Sequence, residues 1–273
     1  MWIGRSAAAS PLCDAPPPRE PLGLYVADVA DTETPDGTGL TGVRRVADLA
    51  PTANLAVPSP DGRTVAVVDL GENAGPCDGG TARLVLFDVA TGAQSAVTGL
   101  TERIGVPHWS PDGHTLALDG DDFATGQTRD VVLVDVPSAT ARRIVTASSV
   151  ESSPVFSPDG RHLAFLRHDD GARGLASASI VLADADSGLA RVLALTGTDD
   201  EDLVWSRDGS QLVVAGARIE PTCDGDGGSS GDDGGCDVAG ADPGVRTVDV
   251  ATGELRSLSV TAALLQSQLT VSP

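Results

Sequence analysis

Val155-Phe156-Ser157-Pro158-Asp159-Gly160-Arg161-His162-Leu163-Ala164-Phe165 decides how this chain is read. Two apolar runs flank four residues that specify a hairpin turn. Proline presets φ at the first central position, aspartate accepts backbone N–H bonds, and glycine takes the left-handed conformation that closes the strands. The same word stands at Ser59-Pro60-Asp61-Gly62, Ser110-Pro111-Asp112-Gly113 and, with Arg207 in place of proline, Ser206-Arg207-Asp208-Gly209. Arg207 gives up pre-organisation but is allowed, because the first central position of a type I turn accepts most residues. The spacings are 51, 47 and 49 residues. Four strands of ordinary length with their connections need roughly 40 to 50 residues, so each period holds a four-stranded unit.

A second punctuation follows in each unit, at Asp88-Val89-Ala90-Thr91-Gly92, Asp135-Val136-Pro137-Ser138-Ala139, Asp184-Ala185-Asp186-Ser187-Gly188 and Asp249-Val250-Ala251-Thr252-Gly253. Upstream lie β-rich runs such as Leu84-Val85-Leu86-Phe87, Val131-Val132-Leu133-Val134 and Ile180-Val181-Leu182, and downstream short strands such as Arg142 to Val145. Val106 to Trp109 precedes the second turn and Thr115-Leu116-Ala117-Leu118 follows it. Strands A, B, C and D therefore read off for every unit. In the fourth, an acidic, glycine-rich insertion at 218–244 separates B from C.

Pro107-His108-Trp109-Ser110-Pro111-Asp112-Gly113 followed by Leu116-Ala117-Leu118, and Phe156-Ser157-Pro158-Asp159-Gly160 followed by Leu163-Ala164-Phe165, resemble the repeat of the TolB-like, WD-repeat-like β-propeller family. The resemblance covers about residues 24–273 and implies an all-β propeller of four-stranded antiparallel blades around a central channel, with short, protected sheet edges. It implies no enzyme by itself. The units fall at about 53–100, 101–148, 149–199 and 200–260, within a propeller domain spanning 23–273. A fifth blade is expected from 23–50 together with 265–273: Leu24 to Asp28 and Val43 to Val46 read as C and D strands, and Gln268 to Pro273 as an A strand. Residues 1–22 then supply part of strand B, Trp2-Ile3-Gly4, and a proline-rich loop. The competing reading makes Met1 an internal start in a fragment of a larger propeller, with 1–22 the remnant of an export or anchor segment encoded upstream; Ala7-Ala8-Ala9 has the small residues of a cleavage site without a preceding apolar stretch.

Composition narrows the partners. The 273 residues carry 39 acids against 18 bases, a net charge of −21, with 41% hydrophobic and 3% aromatic residues. Such a chain buries a core, and many glycines and prolines favour short strands. Nucleic acid is excluded as a partner: phosphates would be repelled, and no basic run exceeds Arg44-Arg45 or Arg142-Arg143. Every base is Arg and 31 of the acids are Asp, a signature of a high-GC bacterium or of a halophile.

Cys13, Cys77, Cys223 and Cys236 all precede C strands, which places them in B–C loops and points to disulfides in an exported protein, with three connectivities open. Zinc is disfavoured because there is no Cys-x-x-Cys and the histidines lack ligand spacing. Asp224, Asp226, Asp232 and Asp233 offer a weak calcium candidate; Ser229 and Gly235 stand where the twelve-residue calcium loop needs Gly and Glu, so a solvated acidic loop is the stronger reading. Gly227-Gly228-Ser229-Ser230-Gly231 matches the hydrolase nucleophile elbow only formally, because it lies in low complexity and not at a strand-to-helix turn. His108, His114, His162 and His168 sit in or beside strands and turns, none next to a convincing nucleophile. Trp109, Phe156 and Trp205, directly before the turn word, are expected to pack between blades.

The D–A and B–C connections share one face of a propeller and are the least regular parts of this sequence. Asn54, Glu102, Arg103, Glu151, Glu201, Asp202, Gln266 and Gln268 are its candidate binding residues, and the rim they form is acidic. A monomeric, exported, non-enzymatic module follows, periplasmic, extracellular or in a cell-envelope assembly. It would hold a protein or peptide partner of basic character and need no cofactor. The alternative is an accessory or gating propeller related to prolyl-oligopeptidase-type peptidases or to a propeller hydrolase.

Overall fold

The computed structural model describes residues 22–29, 39–71, 82–100, 103–122, 127–144, 150–169, 177–196, 199–222 and 237–258. All regular structure among them is β-strand. The chain divides into two compact units, Met1–Val145 and Thr146–Pro273.

In the first unit β1 (Leu22–Val29) and β2 (Leu40–Leu49) form an antiparallel pair, sheet I. Sheet II is a four-stranded antiparallel meander of β3 (Ala53–Pro58), β4 (Thr64–Asp69), β5 (Arg83–Asp88) and β6 (Gln94–Ala96). In sheet III, β7 (Arg103–Ile104) and β8 (His108–Trp109) both pair with β9 (Thr115–Asp122), followed by β10 (Gln127–Asp135) and β11 (Thr140–Ile144). The second unit repeats the meander twice: sheet IV holds β12 (Val150–Phe156), β13 (His162–Asp169), β14 (Ser177–Asp184) and β15 (Ala190–Leu195), and sheet V holds β16 (Asp199–Trp205), β17 (Gln211–Thr222), β18 (Asp237–Asp249) and β19 (Leu255–Leu258).

The A–B turns behave as their residues dictate. In the first, Ser59 N–H bonds to Thr64 O at 2.8 Å and Gly62 N–H to Ser59 O at 2.9 Å, with Gly62 at φ 69°. The Ser59 hydroxyl donates to Asp61 Oδ1 at 2.7 Å while accepting Thr64 N–H at 3.0 Å, and the same carboxylate oxygen takes Arg63 N–H at 3.0 Å. Identical sets close the turns at Ser110, Ser157 and Ser206, so Arg207 leaves the network intact. In the C–D turns Asp88, Asp135, Asp184 and Asp249 accept from the backbone and hydroxyl of the residue three ahead. Glycine follows at φ 71–74° in three of them, and Ala139 takes that place at φ 51°.

Strand A of sheet III is shorter than Val106 to Trp109 because Gly105-Val106-Pro107 interrupts it. Pro107 has no N–H to donate, and Gly105 N–H bonds to Asp119 O at 2.7 Å. The described residues of the insertion at 218–244 extend the hairpin, whose register continues through Arg218↔Asp242 to Thr222↔Asp237.

The B and C strands read as nearly continuous apolar runs because both their faces are covered. In β4, Ala66 and Val68 join Leu84, Leu86, Leu116, Leu118 and Val132, whereas Val65 and Val67 join Leu24 and Phe87. Sheet II is thus packed between sheets I and III. In the second unit Leu166, Ile180 and Leu182 of sheet IV meet Leu203, Trp205, Leu212 and Val214 of sheet V. Each such side chain contributes about 1.5–3 kcal/mol by leaving water. The tryptophans add a directional tie: Trp109 Nε1–H donates to Val57 O at 3.1 Å and Trp205 Nε1–H to Val155 O at 3.2 Å, in each case reaching the A strand of the preceding sheet.

Candidate functional site

The two ends of each meander differ. At one end the A–B connections are residues 59–63, 110–114, 157–161 and 206–210, five residues every time. At the other the B–C connections are 70–82, 123–126, 170–176 and 223–236, with 13, 4, 7 and 14 residues. Repeated short turns make a constant frame, and length variation collects where recognition loops belong.

Strand ends bearing these connections are held by ion pairs inside single sheets. Asp69 closes β4 opposite Arg83, which opens β5, and their Oδ2–Nη2 distance is 3.0 Å. Its other oxygen accepts Gly71 N–H at 3.1 Å and the Thr52 hydroxyl. Burial pushes the Asp69 carboxyl up, but the Thr52 and Gly71 bonds and the Arg83 charge outweigh it, so it lies below the usual carboxylate range. In sheet III Asp119 meets Arg129 at 3.2 Å and Asp130 meets Arg143 at 3.4 Å. A side chain at Gly105 would sit 2.2 Å from Asp119 Oδ1, so this carboxylate lies directly against the interruption in strand A.

Sheet IV holds a cluster of its own. Glu151 has 0% exposure, and its Oε1 accepts from Arg167 Nη2 at 3.1 Å and Nε at 3.4 Å. Next to it Ser152 Oγ and His168 Nε2 are hydrogen-bonded at 3.2 Å, and Ser153 holds φ 53° where the register shifts between Ser152 and Val155. Comparable shifts lie between Ala53 and Leu55 and between Asp200 and Asp202. Every A strand of sheets II to V is therefore bulged or broken near this end, which re-aims its side chains.

Against that geometry the candidate rim sorts unevenly. Asn54 is exposed at the β3 bulge. Asp202 is half-buried and accepts Leu203 N–H at 2.9 Å. Arg103 and Glu201 fall within β7 and β16 at the same ends of their sheets. Glu151 requires correction: it is an internal partner of Arg167, not a solvent-facing rim group. The Ser152–His168 hydrogen bond is a contact that the sequence did not point to, because the two residues are brought together only by cross-strand register. Glu102, Gln266, Gln268, the four cysteines and Asp224, Asp226, Asp232 and Asp233 lie outside the described residues. Among the described residues no three His, Cys, Asp or Glu side chains converge as metal ligands would. Local ion pairs and bulges of this kind can hold loop bases in fixed positions for a ligand.

Comparisons agree with this architecture. The "Uncharacterized peptidase YuxL" of Bacillus subtilis (strain 168) is 26% identical over 193 residues, 59% of this chain and 29% of that protein. The "Protein TolB homolog" of Chlorobium chlorochromatii (strain CaD3) is 29% identical over 134 residues, 48% of this chain and 26% of that protein. The chain thus spans under a third of the length of these curated relatives. The structure of a putative TolB from Agrobacterium tumefaciens superposes with a TM-score of 0.56 at 18% identity, covering 86% of this chain and 80% of that one. A family model for the TolB β-propeller domain matches residues 36–220. With its four-stranded antiparallel blades and the recurring Ser-Pro-Asp-Gly turn, this chain belongs to the TolB β-propeller domain family.

Proposed function

We propose that this chain is a non-enzymatic, monomeric binding module of an exported protein. In this reading it holds a protein or peptide partner of basic character at the blade ends that carry the B–C connections. The observation that carries the reading is the contrast between five-residue A–B turns in all four complete blades and B–C connections of 4 to 14 residues. The acidic run Asp199-Asp200-Glu201-Asp202 opens β16 at this end and supplies complementarity to a cationic partner. Export rests on the cysteine pattern and on the TolB homologue among the relatives.

Chemical cross-linking in envelope fractions, followed by capture of the tagged chain, tests this. Wild type should retain a discrete partner. A variant with residues 223–236 replaced by an Asn-Gly turn, or with Asp200→Asn and Asp202→Asn, should lose it. Retention by both variants, with loss on altering the opposite turns, would move recognition to the other end. A second reading, an accessory propeller of a peptidase, is favoured by the similarity to YuxL. Turnover of peptidyl p-nitroanilides by the purified chain would overturn the non-enzymatic assignment.

A further inference from the structure

The ends of sheets IV and V that carry the short turns enclose an open cleft of about 360 Å³, within the second unit and remote from the B–C connections. Sheet IV lines it with Ser157, Pro158, Asp159 and His162, and sheet V with Trp205, Asp208, Gly209 and Val250. A Cβ added at Gly209 would lie 3.6 Å from Pro158 Cδ, in ordinary van der Waals contact with it, so the two turns flank the cleft at close range. Pro158, Trp205 and Val250 make apolar walls. Trp205 has already committed its N–H to Val155 O, so the indole brings no unsatisfied donor to the cleft.

The two carboxylates are the cleft's permanent charges. Asp159 spends Oδ1 on the Ser157 hydroxyl at 2.6 Å and on Arg161 N–H at 3.1 Å. Asp208 spends Oδ1 on the Ser206 hydroxyl, Ser210 N–H and the Ser210 hydroxyl, at 2.7, 3.1 and 2.8 Å. These bonds use one oxygen of each carboxylate and leave the second outside the turn network. They also keep both groups ionised, and the Ser206 and Ser210 bonds take Asp208 down to about 2. Arg161 and Arg207 are exposed neighbours in the chain, but neither is among the lining residues. Apolar walls with a carboxylate on each side suit a planar, weakly hydrated cation whose faces pack on carbon and whose edges donate hydrogen bonds. An ammonium, compact and strongly hydrated, matches the apolar walls less well.

We propose that this cleft binds the guanidinium group of an arginine side chain presented by a partner peptide. The site is independent of the recognition end proposed above, and either can fail without the other. N-acetyl-arginine methylamide is the probe, titrated by calorimetry, with the uncharged citrulline analogue, the lysine analogue and free arginine as comparators. Wild type should bind the probe saturably in the millimolar range and the citrulline and lysine analogues about tenfold more weakly or worse. Free arginine, whose carboxylate meets the same acids, should also be weaker; tighter binding of free arginine would replace the peptide by a small-molecule ligand and overturn the assignment.

Asp159→Asn with Asp208→Asn keeps an acceptor oxygen for each turn while removing both charges, and should weaken the probe about tenfold. Asp184→Asn with Asp249→Asn removes the same charge from the C–D turns of these sheets and should change affinity less than about twofold. Equal losses in the two variants, or equal affinity for arginine and citrulline analogues, would overturn the proposal. Should the first variant fail to fold, the Trp205 indole resonance of wild type decides: it should shift with the probe and not with citrulline, and absence of that difference counts against the site.

Discussion

Alanine placed separately at Gly62 and Gly92 isolates the closeness of two blades from the cost of a left-handed backbone. The two glycines have φ of 69° and 74°, so the conformational requirement is nearly the same. A Cβ on Gly62 meets nothing within 4 Å, whereas one on Gly92 falls 2.5 Å from the Val46 carbonyl oxygen of β2. Left-handed backbone costs alanine about 1–2 kcal/mol, and the stiffer unfolded chain offsets about 0.4–1 kcal/mol of that. Gly62→Ala should therefore destabilise by about 0.5–1 kcal/mol. Gly92→Ala adds the displacement of a backbone carbonyl, an overpacking cost of about 1–3 kcal/mol, for a total of about 1.5–4 kcal/mol. Urea denaturation followed by far-UV circular dichroism and by tryptophan fluorescence measures both. Equal midpoints and slopes for the two variants would refute the approach of sheet II to β2 and the packing of the first unit built on it.

Three further outcomes are expected. Arg167→Met leaves the buried Glu151 carboxylate without its guanidinium and should cost about 3–5 kcal/mol, most of it recovered when Glu151→Leu is added, as a double-mutant denaturation cycle will show. Trp205→Phe removes the bond to Val155 O and should lower stability by about 1–2 kcal/mol, read from the same denaturation curves. The Asp208 carboxyl carbon should titrate by NMR near 2 against an ordinary 3.8, because the Ser206 and Ser210 bonds favour its ionised form. Since the folded value is the lower one, its stabilising effect is complete above the unfolded value and fades as pH falls from about 4 towards 2, a fade that Asp208→Asn abolishes.

The turns were legible because their chemistry is local. In Ser157-Pro158-Asp159-Gly160 every donor and acceptor that closes the hairpin lies within six residues, so composition alone announces the geometry. The B and C strands were legible from continuous apolar runs. What escaped was everything set by register across a bulge. Phe156 pairs with Leu163 and Val155 with Ala164, and continuing that reflection would set Glu151 opposite His168. The shift between Ser152 and Val155 displaces the pairing by one, bringing Glu151 to Arg167. A glutamate beside an irregular connection thus read as a rim group when it is an interior one. The Ser152–His168 bond escaped for the same reason, being diagonal across the shifted ladder. An arginine opposite an acid near both ends of an A–B hairpin is the signal that would have found the pair, as it would for Asp69 and Arg83 on the B–C side.

The recurring turn also bears on how the chain reaches its fold. Words that repeat every 47 to 51 residues invite strands of different blades to exchange partners, the characteristic failure of repeat proteins. Each A–B turn, however, is closed by bonds spanning at most five residues, from Ser59 N–H to Thr64 O in the first copy and likewise in the others. Hairpins of this kind close in about 1–10 μs, before a strand a whole repeat away can compete. The register of each A–B hairpin is thus set locally, and the smaller loop-closure cost favours the partner nearest in sequence. The motif whose repetition would allow scrambling is the one whose speed of closure prevents it.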